Sequence, residues 1–329
     1  MTLWTIPPET AKAARDAGIT EAVAHLDAGR LVVIPTETVY GLAADATNGA
    51  AVAGIYQAKG RPAFNPLISH VASLEMARCQ GLFGADAERL AGAFWPGPLT
   101  LVLPKAQTAT VSDLTTAGLD TVALRFPDSG ITCEIIARLG RPIAAPSANR
   151  SGRISPTTAA AAASELGDRV AMIVDAGPCR VGLESTIVAC TGEKPVLLRP
   201  GGVPREAIEA LLGRPLATPC KGAGKPVAPG MLASHYAPNA AVRLNATDIK
   251  LGEALLAFGS DLPAGAGTAV AIRNLSPDGD LIEAAANLFS FLRALDETAC
   301  TAIAVAPIPH TGLGEAINDR IARAAAERG

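Results

Sequence analysis

The amino-acid sequence predicts an α/β protein of two domains, the second smaller and built on a parallel sheet. The chain has 329 residues, longer than a typical single domain, and 49% of them are hydrophobic, ample for a real core. Short β-branched and apolar runs bounded by Gly and Pro alternate with stretches of helical period through the N-terminal part. From residue 242 a second pattern begins, in which strand-like runs near 254–258, 268–273 and 301–306 interleave with helical stretches near 282–295 and 315–328. Such alternation is expected of parallel strands joined by helices.

Thr20 is placed to cap a helix over 21–28, ended by Gly29 and feeding a strand over 31–35, LVVIP. The TETV that follows is β-branched and hydroxyl-rich, so it is expected to stay extended with Thr36 and Thr38 on one face. Asn48 fits the cap of a helix over 50–58, whose apolar stripe is Ala51, Val52, Ile55 and Tyr56 and whose end is Gly60. Pro62 and Pro66 bias Arg61 and Asn65 toward extended backbone, so KGRPAFNP reads as a stiff loop that holds its charges in place. A buried strand over 67–71 follows, with His70 near its end.

Helical stretches near 73–79 and 86–95 lead into WPGP, a sharp turn before a strand over 99–103. A strand over 121–125 has Arg125 at its exit, and a helix over 131–139 and a strand over 142–146 come next. Strand exits are where sites gather in α/β folds. The loop over 146–158, PSANRSGRISPTT, concentrates serines and arginines just before an alanine-rich helix. Strands near 170–174, 185–190 and 196–199 and a helix over 204–212 complete this part. Between 215 and 238 the period lapses into prolines and glycines, as in a linker. Met231, His235 and Tyr236 are poorly suited to solvent, so the linker is expected to lie against a domain surface.

Composition narrows the function. A net charge of −3 and a pI near 5.9 disfavour bulk nucleic-acid binding. The six cysteines, at positions 79, 133, 179, 190, 220 and 300, form no CxxC pair and the histidines no HxxxH pattern, so zinc spacing is absent and reduced, mostly buried thiols are expected. The first eighteen residues lack the apolar core of a secretory signal and no run is long enough to span a bilayer, which points to a soluble cytoplasmic protein. GAGKP at 222–226 is no P-loop, GAGTAV at 265–270 lacks the last glycine of GxGxxG, and HExxH and GxSxG are missing. What remains is a dispersed set of cations and hydroxyls near strand ends, chemistry suited to an anionic ligand.

With those residues in view, the chain resembles the two-domain type of the threonylcarbamoyl-adenylate synthase family. The matching strings, in order, are PTETVYGLAADA, KGRPAFNPLISH, WPGPLTLVL, AGLDTVALRFP, PIAAPSAN, GLESTIV and LLRPGG, and later APGMLASHYAP and GLGEAINDRIARAA. The resemblance implies a YrdC-like catalytic domain over 1–214 with a twisted mixed sheet and flanking helices. It further implies a linker and possible active-site lid over 215–240 and a Rossmann-like parallel α/β domain over 241–329. The implied reaction joins L-threonine, bicarbonate or CO2, and ATP into threonylcarbamoyl-AMP with release of pyrophosphate, for threonylcarbamoyladenosine in tRNA.

Carried over by the same resemblance, Thr38, His70, Arg125, Ala145 (through its backbone) and Ser185 match positions that hold threonine. Arg61, Asn65, Thr121, Ser147, Ser155, Arg199 and Tyr236 match positions that hold ATP, with Lys59 adding charge near the phosphates and Lys59 and Arg61 carrying the catalytic electrostatics. Mg2+ is expected to arrive with ATP, since no carboxylate cluster offers it a separate cage. A labile carbamate needs shelter from water, so residues 230–236 are expected to fold back as a lid. Downstream threonylcarbamoyl-transferase proteins are the expected partners, with tRNA contact weak or indirect and no membrane. Two rivals stand beside this: a module that binds double-stranded RNA or tRNA without adenylation, and a hydrogenase-maturation carbamoyltransferase, whose acylphosphatase-like and zinc-finger segments have no counterpart here.

Overall fold

The computed structural model describes residues 1–7, 12–62, 65–218 and 235–326. The N-terminal part is one ten-stranded mixed sheet. Its strands run in the order Thr2–Thr5, Met172–Asp175, Val32–Ile34, Gly41–Asp45, Ile143–Ala144, Ile68–His70, Thr121–Arg125, Leu99–Pro104, Thr186–Ala189 and Val196–Arg199. Side chains alternate between the two faces, so each face has its own core. Val33, Leu42, Leu101, Leu124 and Val188 point to one face and pack with Tyr40 and with the helices Gly49–Lys59 and Ala85–Phe94. Val32, Ile34, Ala43 and Met172 point to the other, under the helices Lys12–Asp27 and Gly130–Leu139. Those two helices cover only part of that face, and the neighbouring strands carry a small separate cluster of Ile68, Val102, Ala123, Ile187 and Ala189.

Local chemistry explains most boundaries. Asn48 Oδ1 accepts the amides of Ala50 and Ala51, and Gly60 closes the same helix in the left-handed conformation at φ 61°. Ser73 caps Leu74–Gln80 by accepting from the Met76 amide. Two expectations are overturned. The first helix starts at Lys12, so Thr20 lies inside it, and its hydroxyl donates back to Asp16 O at 2.8 Å. Residues 36–39 are not extended: Thr36 Oγ1 accepts from the amides of Thr38 and Val39 and donates to Val39 O at 2.7 Å, folding TETV into a hydroxyl-bonded turn. The two threonines still meet, 2.8 Å apart, but through that turn.

The C-terminal part has its own four-stranded sheet, all parallel, in the order Ala241–Arg243, Ala302–Val305, Glu253–Ala257 and Ile272–Asn274. Its first strand was not anticipated, and the strand expected from 268 begins at Ile272, after a short 3-10 turn over Ala266–Thr268. The helices Leu281–Asp296 and Leu313–Ala325 pack on it. Its core does not stop at the domain edge, because Val39, Ile154 and Leu183 of the N-terminal part join the cluster of Leu288, Phe289 and Leu292.

Polar contacts reinforce that junction. Arg205 pairs with Glu315, Arg293 Nη2 donates to Ile154 O at 3.0 Å, and the Ala237 amide donates to Gly152 O at 2.9 Å. Gly182 approaches so closely that a Cβ there would sit 2.5 Å from Ala285 O and Ala286 Cα, and its φ of +72° also favours glycine. Of the five described cysteines Cys179 and Cys300 are buried, Cys133 and Cys190 half-buried and Cys79 exposed, so burial is less general than expected. No helix among the described residues is long and apolar enough to cross a membrane.

Candidate functional site

The uncovered part of the sheet face carries a polar row. Register places His70 opposite Arg125, Thr100 opposite Ile187, and Ile187 opposite Arg199, while the Leu101 to Leu124 pairing sets Thr100 beside Arg125. Paired residues on adjacent strands share a face, so one line across the sheet presents an imidazole, a hydroxyl and two guanidinium groups. Above it lies a cavity lined by Arg61, His70, Arg125, Ala145, Ser147, Ser185, Arg199 and Tyr236 among the sequence candidates, with Val39, Ile68, Pro146, Glu184 and His235 completing the wall. The candidates therefore meet on a sheet face as well as at strand ends.

Arg61 donates only to backbone carbonyls, Asn65 O at 3.4 Å and Pro66 O at 3.1 Å. Arg199 donates to Ser185 O at 2.8 Å and to Ser185 Oγ at 3.2 Å, and Ser185 Oγ lies 2.7 Å from Thr100 Oγ1. Neither guanidinium has a carboxylate among its hydrogen-bond partners. Burial lowers the pKa of both, with the Arg199 charge adding to the effect on Arg61, which falls to about 10 and stays cationic at neutral pH. Buried cations held by neutral dipoles attract an anion strongly. His70 is the reverse: burial first, then the Arg125 charge, lowers its pKa to about 3, so it is a neutral imidazole.

The remaining candidates stand behind the cavity wall or away from it. Lys59 is buried, and its Nζ donates to Ser147 O at 2.6 Å and to Asn149 O, bracing the 146–149 loop from below. Burial and the nearby Arg61 charge push the Lys59 pKa well below its ordinary value. Thr38 is fully enclosed beside Thr36. Ser155 Oγ donates to Glu184 Oε1 at 2.6 Å. The Asn65 carbonyl accepts from Tyr56 and Arg61, while its buried side-chain oxygen has no hydrogen-bond partner. Thr121 opens the strand that Arg125 closes, four residue steps or about 13 Å away along an extended chain, and does not line the cavity.

Three charged residues at the site were not among the candidates. Glu37, its side chain fully enclosed, lies with Oε1 2.8 Å from Arg125 Nη2, an ion pair lacking hydrogen-bond alignment. Arg125 Nε donates to Gly97 O at 3.3 Å, so the fork expected to serve a substrate carboxylate is anchored on one side by the protein. Glu184 accepts from Ser155 and from Arg320 Nε, the latter at 2.8 Å and contributed by the last helix. Burial raises the Glu184 pKa, but the charges of Arg320 and Arg199 and the two hydrogen bonds outweigh it and leave the group at about 2. The signal was present: Glu37 and Glu184 sit inside PTETVYGL and GLESTIV, and Arg320 inside GLGEAINDRIARAA.

Of the proposed lid, residues 230–234 lie outside the described residues, and only its end can be placed. Tyr236 is 1% exposed, stacked on Phe289 with centroids 5.4 Å apart and lying under the Arg320 guanidinium at 5.2 Å. His235 meets the Tyr236 ring edge-on at 4.1 Å, and burial lowers its pKa to about 3. Both line the cavity, so the end of the linker reaches the N-terminal site.

Two family models match in tandem, one described as telomere recombination over residues 24–201 and one as the threonylcarbamoyl-AMP synthase C-terminal domain over residues 203–326. A threonylcarbamoyl-AMP synthase of Bacillus subtilis is 40% identical, with 99% of this chain and 98% of that protein covered. The chain belongs to the threonylcarbamoyl-AMP synthase family. A Pyrococcus abyssi member is 42% identical over 93% of this chain and 94% of its own length. The crystal structure of P. abyssi Sua5 complexed with L-threonine superposes with a TM-score of 0.88 at 37% identity, covering 99% of this chain and 98% of that one. The family's two-part architecture is thus present from end to end, with a mixed-sheet unit carrying the cavity and a parallel unit closing against it.

Proposed function

We propose that this chain forms threonylcarbamoyl-AMP from L-threonine, bicarbonate or CO2, and ATP, with release of pyrophosphate. The observation that carries the proposal is a cavity, in a family member, where Arg61, Arg125 and Arg199 converge with Ser147 and Ser185. Arg125, held by Glu37 and Gly97, faces the carboxylate of threonine. Thr38, His70, Ala145 and Ser185 complete the amino-acid subsite. Arg61 and Arg199, whose hydrogen-bond partners are neutral, face the phosphates, and Asn65, Thr121, Ser147, Ser155 and Tyr236 complete the nucleotide subsite. For Thr38, Asn65, Thr121 and Ser155, which do not line the cavity, these assignments rest on the matching motifs.

The protein need supply no nucleophile. The threonine amine, having lost a proton, bonds to the carbon of CO2 and loses a second proton to give a carbamate. A carbamate oxygen then bonds to the α-phosphorus as the bond to the bridging oxygen breaks, and pyrophosphate departs with that electron pair. The side chains align two reactants and balance charge that grows on the leaving phosphates. Lys59 contributes by holding the loop that carries Ser147. Mg2+ enters as part of the nucleotide substrate; among the described residues no three His, Cys, Asp or Glu gather to hold an ion.

The product, a reactive mixed anhydride, passes to threonylcarbamoyl-transferase proteins in the cytoplasm for modification of tRNA. Incubating the full chain with ATP, bicarbonate and single amino acids while measuring pyrophosphate tests the proposal. Release specific to L-threonine, with a matching nucleotide product, supports it; release with no amino-acid dependence, or none at all, refutes it.

A further inference from the structure

Arg320 belongs to the C-terminal domain, yet it is completely buried and two of its hydrogen-bond partners are in the N-terminal one. Its Nε donates to Glu184 Oε2 at 2.8 Å and its Nη2 to Pro200 O at 2.9 Å. Those two groups flank the pair already described, since Glu184 precedes Ser185 and Pro200 follows Arg199, and Arg199 itself donates to Ser185 O. A closed ring results: one guanidinium from the far domain clamps two segments whose tips carry the inner guanidinium and hydroxyl. The segments also touch directly, because the Gly202 amide donates to Glu184 O at 3.0 Å and a Cβ on Gly201 would fall 2.3 Å from the same oxygen.

The same side chain reaches two more parts of the wall. Through Glu184 it orients Ser155, and its guanidinium lies over the Tyr236 ring. Asp319 takes another of its donors, so the guanidinium is held from several sides. A brace that served docking alone would need only a half-buried pair such as Arg205 with Glu315 at the same junction, which touches no wall of the cavity.

We propose that Arg320 is a positioning residue for the nucleotide half of the cavity, setting Ser155, Arg199 and Tyr236 in place so that ATP affinity depends on the seating of the C-terminal domain. The proposal rests on the assignment of those three residues to ATP made above. It gives the C-terminal domain a defined part in the reaction: its last helix completes the wall from behind and never meets substrate.

The test compares the full-length chain with Arg320→Met, Arg320→Lys, Arg320→Met combined with Glu184→Gln, and Arg205→Ala. ATP and L-threonine dissociation constants are measured by calorimetry, KM and kcat from pyrophosphate release, and folding from circular dichroism and Tm. Arg320→Met is expected to weaken ATP binding and raise its KM by about tenfold or more, the scale of one lost buried partner, with threonine affinity changed by less than about threefold. Arg320→Lys should recover part of the ATP affinity, because it restores charge beside Glu184. Arg205→Ala should lower Tm while leaving both affinities within about twofold.

Should Arg320→Met fail to fold, the double variant, in which no Glu184 carboxylate is left without its Arg320 partner, carries the comparison and should still bind ATP weakly. The proposal is overturned if the folded variant, single or double, binds ATP as the parent does or loses ATP and threonine affinity in equal measure. A parent chain that binds ATP but releases no pyrophosphate defeats the synthase reading and leaves the ATP comparison decisive for Arg320; a parent chain that binds no ATP defeats both.

Discussion

The two domains each bring a buried arginine to the loop after strand Val196–Arg199, and the two differ in what they hold. Arg199, from the sheet, donates only to Ser185, while Arg320, from the last helix, is matched by Glu184 and Asp319. The first has only neutral hydrogen-bond partners, which suits the ligand-binding role proposed for it. The second has already spent its charge on neighbours, so it orders the structure around it. Arg125 is intermediate, matched by Glu37 but lining the cavity. Burial alone therefore does not distinguish a ligand-binding cation from a structural one; the charge of its partners and its access to the cavity together do.

The largest effect should come where both roles coincide. Arg125→Ala removes the proposed carboxylate partner and strands Glu37, so it is expected to lower stability by about 3–5 kcal/mol and abolish measurable threonine binding. Arg199→Ala strands no carboxylate, and should cost about 1–3 kcal/mol while lowering kcat/KM for ATP by about a hundredfold. Urea titrations and steady-state kinetics on both variants check the difference. Equal stability losses would break the contrast between matched and unmatched cations.

Next in size is the junction itself. Gly182→Ala places a methyl against the backbone of helix Leu281–Asp296 at a positive φ, and should destabilise by about 2–3 kcal/mol and hasten cleavage between the domains under limited proteolysis. An unchanged cleavage pattern and Tm would show that the close approach carries no energy.

The remaining effects are pH-linked. His70 and His235 are held neutral, with pKa values lowered from 6.5 to about 3, so the unfolded chain takes up protons that the folded one refuses. Their contribution is present above pH 6.5 and declines as pH falls toward 3. Glu184 is depressed from 4.5 to about 2, so its contribution is present above pH 4.5 and is lost as pH falls to 2. Denaturant midpoints across pH 2–7 should drop in those two windows, the first shrinking in His70→Gln and the second in Glu184→Gln. L-Threonine affinity should show no inflection near pH 6.5 if His70 acts as a neutral imidazole.

Much of the site was legible because its parts are punctuated locally. The Asn48 cap, the Gly60 stop and the strand ending in Arg125 follow from caps, left-handed glycine and β-branched runs. Errors arose where two local programmes compete for one residue. Thr20 has the chemistry of a cap, but the apolar face of Ile19, Ala22 and Leu26 extends the helix past it to Lys12. TETV has strand propensity, but Thr36 turns its hydroxyl on the backbone two and three residues ahead.

By itself the chain's order of residues determined its α/β class and the strings that mark the family, because each is written within a few neighbouring positions. Only the tertiary structure decided which charges are matched. Glu184 and Arg320 are 136 residues apart, Tyr236 at the end of the linker meets Phe289 of the C-terminal domain, and the Glu37 carboxylate reaches Arg125 through a turn that propensity alone would have straightened. Such pairings are set by sheet register and by the seating of one core on another, and neither leaves a period in the local sequence.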